Sequence, residues 1–219
     1  TSKIGKNAKS SSSSKEQVTT LKTKSKSQQD ISINEQYNMD EASIKDYKKA
    51  GEIGKKVKDF AKSIIKLNVL LVEIAEKIEG EIIKLGGELA FPVNLSIDDV
   101  AAHYTPTLRD EKKATGLLKA DIGIHVNGCI CDLAFSVDLT SDKKHTKLIE
   151  ASQKALENAL EIVNNHKEKT TVSQIGAEIE NQIKKAGFTP IINLSGHSLD
   201  EFNVHAGLTI PNINNSSTK

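Results

Sequence analysis

The stretch Lys119–Asp138, KADIGIHVNGCICDLAFSVD, has the clearest pattern in the chain, two apolar-alternating runs separated by Asn127-Gly128. Asn-Gly between such runs is the strongest short-range signal for a two-residue β-hairpin turn. In that turn Val126 pairs with Cys129, and the pairing of every residue farther along both strands follows. The sequence therefore predicts an antiparallel hairpin of defined register.

This register sorts the side chains of the hairpin between its two faces. One face is apolar and is expected to seek the core: Ile122, Ile124, Val126, Cys129, Cys131 and Leu133. The other face carries Asp121 and Asp132, with Asp132 opposite Gly123 and the two aspartate Cα atoms roughly 7–8 Å apart. Carboxylates at that separation can share two divalent ions about 3.5–4 Å apart. A pair of solvated aspartates on an open sheet face is the alternative, and the hairpin alone does not decide between them.

Three histidines are candidate site residues because imidazole is a common metal ligand and proton-transfer group. His197 follows Ser195-Gly196, His205 lies eight residues farther on, and His103 precedes Tyr104. The other three histidines, His125, His145 and His166, are interpreted as structural and solvent-contacting.

Around the hairpin, apolar periodicity predicts helices and strands in a repeated order. A first helix is predicted from Asp40 to near Asn68, and a second from Leu71 to the Gly86-Gly87 stop. An extended segment from Leu89 to Ile97, interrupted by Pro92, precedes the hairpin. Further helices are predicted over Asp142–His166 and Val172–Ala186, then a strand-like segment over Phe188–Leu194. This order predicts half of a duplicated plan plus the start of its second copy.

Both ends differ in composition from the chain between them. Residues 1–38 are rich in serine and lysine with almost no large apolar side chains, so they are predicted to be a disordered leader. A weak electrostatic arm for an RNA-rich surface such as the ribosome is the functional alternative for the leader. Residues 39–213 form the predicted domain, and 214–219 a frayed terminus.

Composition excludes several classes of function. The formal net charge is +1, and Arg109 is the single arginine among 30 basic residues, so specific nucleic-acid readout is disfavoured. The chain contains no apolar run of the ~18–20 residues that a membrane span needs, and its first residues contain no apolar signal core. Cys129 and Cys131 are expected to be buried, reduced thiols. A cytoplasmic protein fits these features best.

Five segments together resemble the type II methionine aminopeptidases, especially the archaeal ones, over about residues 39–213. They are Phe91-Pro92-Val93-Asn94, Ala102-His103-Tyr104-Thr105-Pro106, the Asp121/Asp132 hairpin, Ser195-Gly196-His197, and His205-Ala206-Gly207 followed by Ile210-Pro211-Asn212. The resemblance implies an α+β pita-bread fold with an antiparallel sheet flanked by helices and an incomplete second half. It also implies removal of the N-terminal methionine from nascent proteins with a small second residue.

The resemblance further implies roles for individual residues. Asp121, Asp132 and His197 would bind two divalent ions of cobalt, manganese, iron or zinc. His103 and His205 would act on the substrate as catalytic groups, and Phe91 with Val204 would line the methionine pocket. Nascent polypeptide N-termini, and through them the ribosome, are the implied partners.

The chain departs from the family at two glutamate ligands. In the family these lie in an Ile-Glu-Pro segment and a Gln-Phe-Glu-His segment, and neither segment occurs in the 219 residues. We therefore expect a C-terminally truncated sequence with a weak second metal site and slow or absent turnover. The competing hypothesis is a non-catalytic pita-bread protein that binds a partner such as the ribosome.

Overall fold

The computed structural model describes residues 39–165 and 170–215. The predicted leader at 1–38, His166 and the end of the predicted frayed terminus at 216–219 lie outside the described residues. The helices and strands follow the chain as α1 (Glu41–Ile64), α2 (Leu71–Lys84), β1 (Glu88–Ile97), β2 (Leu117–Val126), β3 (Cys129–Asp138), α3 (Thr146–Asn165), α4 (Val172–Lys185), β4 (Gly196–His197) and β5 (Thr209–Ile210).

The strands form two antiparallel sheets, one of three strands in the order β1-β2-β3 and one of two strands, β4-β5. Helix α1 packs on β2 and β3, and α2 packs on β1. Helices α3 and α4 pack on each other, and α4 also contacts β5. The predicted α+β architecture, an antiparallel sheet flanked by helices, is confirmed.

The hairpin has the predicted register along its full length. Val126 pairs with Cys129 and Gly123 pairs with Asp132. Asn127 and Gly128 have φ values of 51° and 88°, the two positive values that a type I′ turn requires. The turn and the alternation of side chains together fix which residues face the site.

The apolar face of the hairpin contributes to an aliphatic core that it shares with α1 and α2. Ile122 and Ile124 are fully buried, as are Val57 of α1 and Ile78 of α2. Burying each such side chain stabilises the fold by about 1.5–3 kcal/mol relative to leaving it in water. Both cysteines are free thiols; Cys129 is buried, as predicted, whereas Cys131 is only partly buried.

Two glycines of α1 are expected to respond in opposite ways to alanine. A Cβ on Gly54 would lie 2.8 Å from Cys131 Sγ, whereas one on Gly51 would meet no atom within 4 Å. We expect Gly51→Ala to stabilise the protein by about 0.5–1 kcal/mol through helix propensity. Gly54→Ala should destabilise it by about 1–3 kcal/mol, because the helix must move off the sheet. Urea unfolding of both variants measures this, and equal shifts would contradict the packing.

Strand β1 is irregular around Pro92, as the sequence predicted. Its register against β2 shifts between Leu89 and Phe91 and again between Phe91 and Asn94. The Val93 N–H donates to Glu79 Oε1 of α2 at 3.0 Å, so a side chain takes the place of a strand partner there. This irregular segment places the Phe91 ring above Gly123.

Two predicted helix boundaries were wrong by a turn each. Helix α1 ends at Ile64 and not near Asn68, because Asn68 has a φ of 66° and its N–H donates to Ala114 O at 2.9 Å. Helix α3 begins at Thr146 and not at Asp142. The buried Asp138 carboxylate accepts from the N–H groups of Thr140 (2.9 Å) and His145 (2.7 Å), which holds the preceding residues in a turn.

The strand predicted over Phe188–Leu194 is absent from the described part of the chain. Asn212 Nδ2 donates to the carbonyls of Ile191 (3.3 Å) and Leu194 (2.8 Å), so these groups bond to a side chain instead of a neighbouring strand. Ile192 is 75% exposed, which shows that no core face covers it.

None of the helices in residues 39–165 and 170–215 has the length and apolar content needed to cross a bilayer.

Candidate metal centre

The polar face of the hairpin opens into a cleft of about 460 Å³. Five of the predicted site residues line it: Asp121, Asp132, His197, His103 and His205. These residues come from four separate segments of the sequence, and the fold brings them to one place.

Asp121 and Asp132 project side by side into this cleft from β2 and β3. Burial raises the pKa of Asp121 to about 6, assisted by the negative charge of Asp132 and a hydrogen bond between the two carboxyl groups. Burial also raises the pKa of Asp132, against the opposing effects of His197 and His205. The pair is therefore costly to ionise without a nearby positive charge.

His197 is held against the aspartates by the small β4-β5 sheet. Its backbone pairs with Thr209, and the Ser198 N–H donates to Leu208 O at 3.0 Å. His197 Nε2 lies 3.5 Å from Asp132 Oδ2, while the buried Nδ1 atom has no hydrogen-bond partner among the described residues. Nε2 is therefore the nitrogen placed to share a ligand with the carboxylate of Asp132.

His205 lies next to His197, with ring centroids 4.4 Å apart and ring planes at 59°. The Ala206 N–H donates to Ser198 O at 2.9 Å, and the His205 N–H donates to Asn203 Oδ1 at 3.2 Å. The loop between β4 and β5 therefore carries both imidazoles to the edge of the cleft.

His103 reaches the cleft from the long connection between β1 and β2. It has a φ of 65°, a left-handed conformation that is uncommon for a residue with a Cβ. The following residue fixes it, since Leu95 N–H donates to Tyr104 O at 2.7 Å and Tyr104 N–H donates to Ser96 Oγ at 3.3 Å. His103 is close enough to Asp121 to oppose the rise in the pKa of that carboxyl.

Phe91 and Val204 are not among the residues that line this cleft. The Phe91 ring covers Gly123, where a Cβ would come within 2.2 Å of Phe91 Cε1. Val204 is half-buried and adjoins His205 in the chain. Their predicted place in a methionine pocket stays a prediction.

The donor set suits a hard or borderline divalent ion, because it combines two carboxylates with an imidazole. Across the described ranges, no three His, Cys, Asp or Glu side chains stand in an arrangement that would itself hold a metal ion. Asp121 instead hydrogen-bonds Asp132, and Asp132 contacts His197. A cation between them would relieve the burial cost of both carboxylates and contact His197 Nε2, the nitrogen that now faces Asp132, so the residues fit a metal.

Several residues of the cleft wall were not predicted from the sequence. They come from the connection after α4, from the β4-β5 loop and from β5: Asn193, Leu194, Ser195, Leu208 and Thr209. The polar loop composition around Gly196 was the available signal, but the incorrect strand at Phe188–Leu194 obscured it. Of the remaining histidines, His125 contacts Phe202 edge-on with centroids 5.4 Å apart, and His145 is half-buried before α3.

Comparison with known sequences finds a clear match. The sequence profile of metallopeptidase family M24 matches residues 45–219. A methionine aminopeptidase of Pyrococcus horikoshii is 46% identical over 166 residues, which cover 75% of this chain and 55% of that protein. A methionine aminopeptidase of Methanothermus fervidus is 42% identical over 180 residues, covering 76% of this chain and 94% of its own sequence. The chain spans about half the length of most relatives of this kind.

Comparison with solved structures agrees on the fold. The crystal structure of a methionine aminopeptidase from Thermotoga maritima superposes with a TM-score of 0.70 at 18% identity, covering 82% of this chain and 74% of that chain. At this identity the likeness concerns the fold alone, and it confirms the predicted pita-bread architecture.

Proposed function

The chain belongs to metallopeptidase family M24, and from that membership we propose that it carries the chemistry of a methionine aminopeptidase. The proposed reaction is hydrolysis of the peptide bond after an N-terminal methionine. The observation that carries this proposal is the convergence of Asp121, Asp132 and His197 with His103 and His205 around one cleft.

We assign the metal ligands to Asp121, Asp132 and His197. Asp121 and Asp132 would hold the metal through their carboxylates, and His197 would use Nε2, the nitrogen that faces Asp132. With a divalent ion bound, these residues would supply Lewis-acid chemistry that polarises the scissile carbonyl and lowers the pKa of the attacking water. The identity of the ion is not set by these ligands, because carboxylate and imidazole suit manganese, iron, cobalt and zinc.

His103 and His205 are proposed to act on the substrate. His205 lies beside His197, His103 lies near Asp121, and both line the cleft, so both imidazoles can reach a peptide bound there. Imidazole N–H groups in those positions can orient the peptide and donate to the oxygen that becomes negative in the transition state. Such a donor typically contributes about 10²–10³ in rate.

The proposed substrate is a nascent polypeptide with a small second residue. Phe91, above Gly123, and Val204, beside His205, are proposed to bind the methionine side chain. A nascent-chain substrate would place this activity in the cytoplasm, near the ribosome.

The number of ligands limits the expected rate. Three ligands are assigned here, two carboxylates and one imidazole. We expect the chain to bind one ion tightly and a second weakly. We expect slow or absent methionine release from a Met-Ala-Ser peptide with cobalt, manganese or iron, measured with protein in excess of peptide.

A binding measurement, combined with the release assay, tests the proposed function itself. Calorimetry with the manganese-loaded protein should show binding of Met-Ala-Ser that N-acetylation of the peptide abolishes, and any release should be selective against Met-Leu-Ser. Absence of both binding and release would overturn the proposed function. Rapid turnover would instead refute the expectation that three ligands give slow release.

A further inference from the structure

The connection between β1 and β2 carries His103 to the metal centre in an unfavourable backbone conformation. His103 has a φ of 65° and lines the same cleft as Asp121 and Asp132. A left-handed residue with a Cβ persists only where surrounding contacts hold it, and such residues are concentrated at functional sites. The contacts that hold His103 therefore bear on what its imidazole can do.

The backbone of Tyr104, the next residue, is fixed to the end of β1. Its carbonyl oxygen accepts from the Leu95 N–H, and its own N–H donates to the hydroxyl of the buried Ser96. Both bonds lie on the β1 side of the connection. They therefore fix one end of the His103 segment and leave its relation to the rest of the connection to other contacts.

The side chain of Tyr104 joins this segment to the second half of the connection. Its hydroxyl donates to Asp110 Oδ2, and the other oxygen of that carboxylate accepts from the Lys112 N–H at 2.8 Å. The bond from Tyr104 is the main reason that the pKa of Asp110 lies below its ordinary value of 3.8. The acceptor is thus an ionised carboxylate at neutral pH, and hydrogen bonds to ionised groups are stronger than neutral ones.

Lys112 strengthens this link and anchors it to the helices. Its Nζ atom lies 4.0 Å from the centre of the Tyr104 ring, close enough for attraction between a cation and an aromatic face. Its carbonyl oxygen accepts at 2.9 Å from the N–H of Leu71, the fully buried first residue of α2. Tyr104 is thereby connected, through Asp110 and Lys112, to the start of α2.

We propose that Tyr104 is a positioning residue for His103, because its hydrogen bond to Asp110 holds the left-handed conformation that brings the imidazole to the cleft. This inference rests on the proposed function, in which His103 acts on the peptide. Without the hydroxyl, the ring of Tyr104 keeps its packing against the core, but the link to Asp110 is lost. His103 then spends part of its time away from the cleft, while the metal ligands stay in place.

A conservative variant tests this role through peptide binding. Tyr104→Phe removes the hydroxyl and keeps the ring, and Tyr47→Phe makes the same change on α1, outside the cleft. Calorimetry of the manganese-loaded protein with Met-Ala-Ser should show about three- to ten-fold weaker binding in Tyr104→Phe, because only part of the energy of the bond is transmitted to His103. The affinity for manganese should be unchanged, and Tyr47→Phe should bind the peptide as the native protein does.

A double-mutant cycle with His103→Ala separates positioning from a purely structural role. If Tyr104 acts through His103, Tyr104→Phe should weaken peptide binding no further once the imidazole is gone. A bond that only stabilises the connection predicts a lower Tm with unchanged peptide affinity, and a direct contact with the peptide predicts the same loss in both backgrounds. Either of these two results would overturn the inference.

A spectroscopic measurement tests the inference without peptide or metal. In a ¹H–¹³C NMR spectrum of histidine-labelled protein, the ring signals of His103 are identified by their loss in His103→Ala. We expect Tyr104→Phe and Asp110→Ala to shift these signals in the same direction and Tyr47→Phe to leave them in place. Signals that do not move in Tyr104→Phe, or that move equally in Tyr47→Phe, would contradict the positioning role.

The two measurements also separate this inference from the proposed function. If the native manganese-loaded protein does not bind Met-Ala-Ser, the proposed function fails, and the spectrum still decides whether Tyr104 positions His103. If the peptide binds and the ring signals of His103 ignore the loss of the Tyr104 hydroxyl, the proposed function stands and the positioning role fails.

Discussion

Replacing both hairpin aspartates, Asp121→Asn and Asp132→Asn, is expected to abolish divalent-metal binding and to raise the thermal stability of the metal-free protein at pH 7. The amides keep the size of the side chains but remove the negative charges that a cation needs. Without the cation the same charges are unfavourable, because the two carboxylates are partly buried and repel each other. Burial and this repulsion also raise the pKa of Asp121 to about 6. Function and stability should therefore change in opposite directions.

The sign of the pH dependence follows from the direction of this shift. The pKa of Asp121 is raised in the folded protein from the ordinary value of 3.8, so the folded state holds its proton more tightly than the unfolded chain. Stability should fall as pH rises from about 4 to about 6 and then level off. The Asn variant lacks this fall, so its advantage should be present at pH 7 and largely absent at pH 4.

Calorimetric titration with manganese and thermal unfolding in chelator measure the two effects. Because both carboxyl groups are partly exposed, we discount the electrostatic cost to about 1 kcal/mol, or roughly 2–4 °C in Tm. Asp138→Asn is the control of opposite sign: hydrogen bonds from Thr140 and His145 outweigh burial and lower the pKa of Asp138, so its loss should destabilise at pH 7. Unchanged metal binding in the double variant would disprove the ligand assignment.

Gly123→Ala is expected to remove methionyl-peptide binding with a smaller effect on the metal. A Cβ at Gly123 would lie 2.2 Å from Cε1 and 2.4 Å from Cδ1 of Phe91, so the ring must leave its position. Displacing a packed ring costs about 1–3 kcal/mol in stability and disrupts the proposed methionine pocket. Calorimetry with Met-Ala-Ser should show the loss of affinity, while the manganese titration shows ligands still able to bind.

A double-mutant cycle distinguishes this contact from a general disturbance of the hairpin. In a Phe91→Leu background the smaller side chain leaves room for the new Cβ, so Gly123→Ala should cost less stability there than in the native protein. Strictly additive costs in urea unfolding would show that the ring is not the obstacle. Gly80→Ala, at a position where a Cβ meets nothing within 4 Å, controls for glycine replacement itself.

The hairpin was predictable in detail because its determinants are local. Asn127-Gly128 selects the turn, and strict alternation leaves one register that buries Ile122 and Ile124. The two aspartates were assigned to one face for the same reason. The resemblance in short motifs then indicated His103, His197 and His205 as site residues. In the structure these three histidines line the same cleft as the two aspartates.

The parts that were not predictable depend on contacts between distant segments. Ile191 and Ile192 are β-branched residues typical of strands, but their segment has no strand partner in the described part of the chain. The Asn212 side-chain amide donates instead to the backbone carbonyls of Ile191 and Leu194. The position of His205 depends on a loop anchored by Phe202, whose N–H donates to Gly128 O at 3.0 Å and whose ring meets His125. Nothing in the sequence near Phe202 indicates that it returns to the hairpin turn.

The two-residue turn at Asn127-Gly128 also restricts how the chain can vary in length. One residue inserted there would reverse the facing of every side chain on β3 relative to β2. Asp132 would then point at α1, and Cys131 with Leu133 would occupy the metal face. Insertions and deletions that preserve the metal centre must therefore change this turn by an even number of residues. Whether the number of loop residues is even or odd is thus as much a requirement for the site as which residues they are.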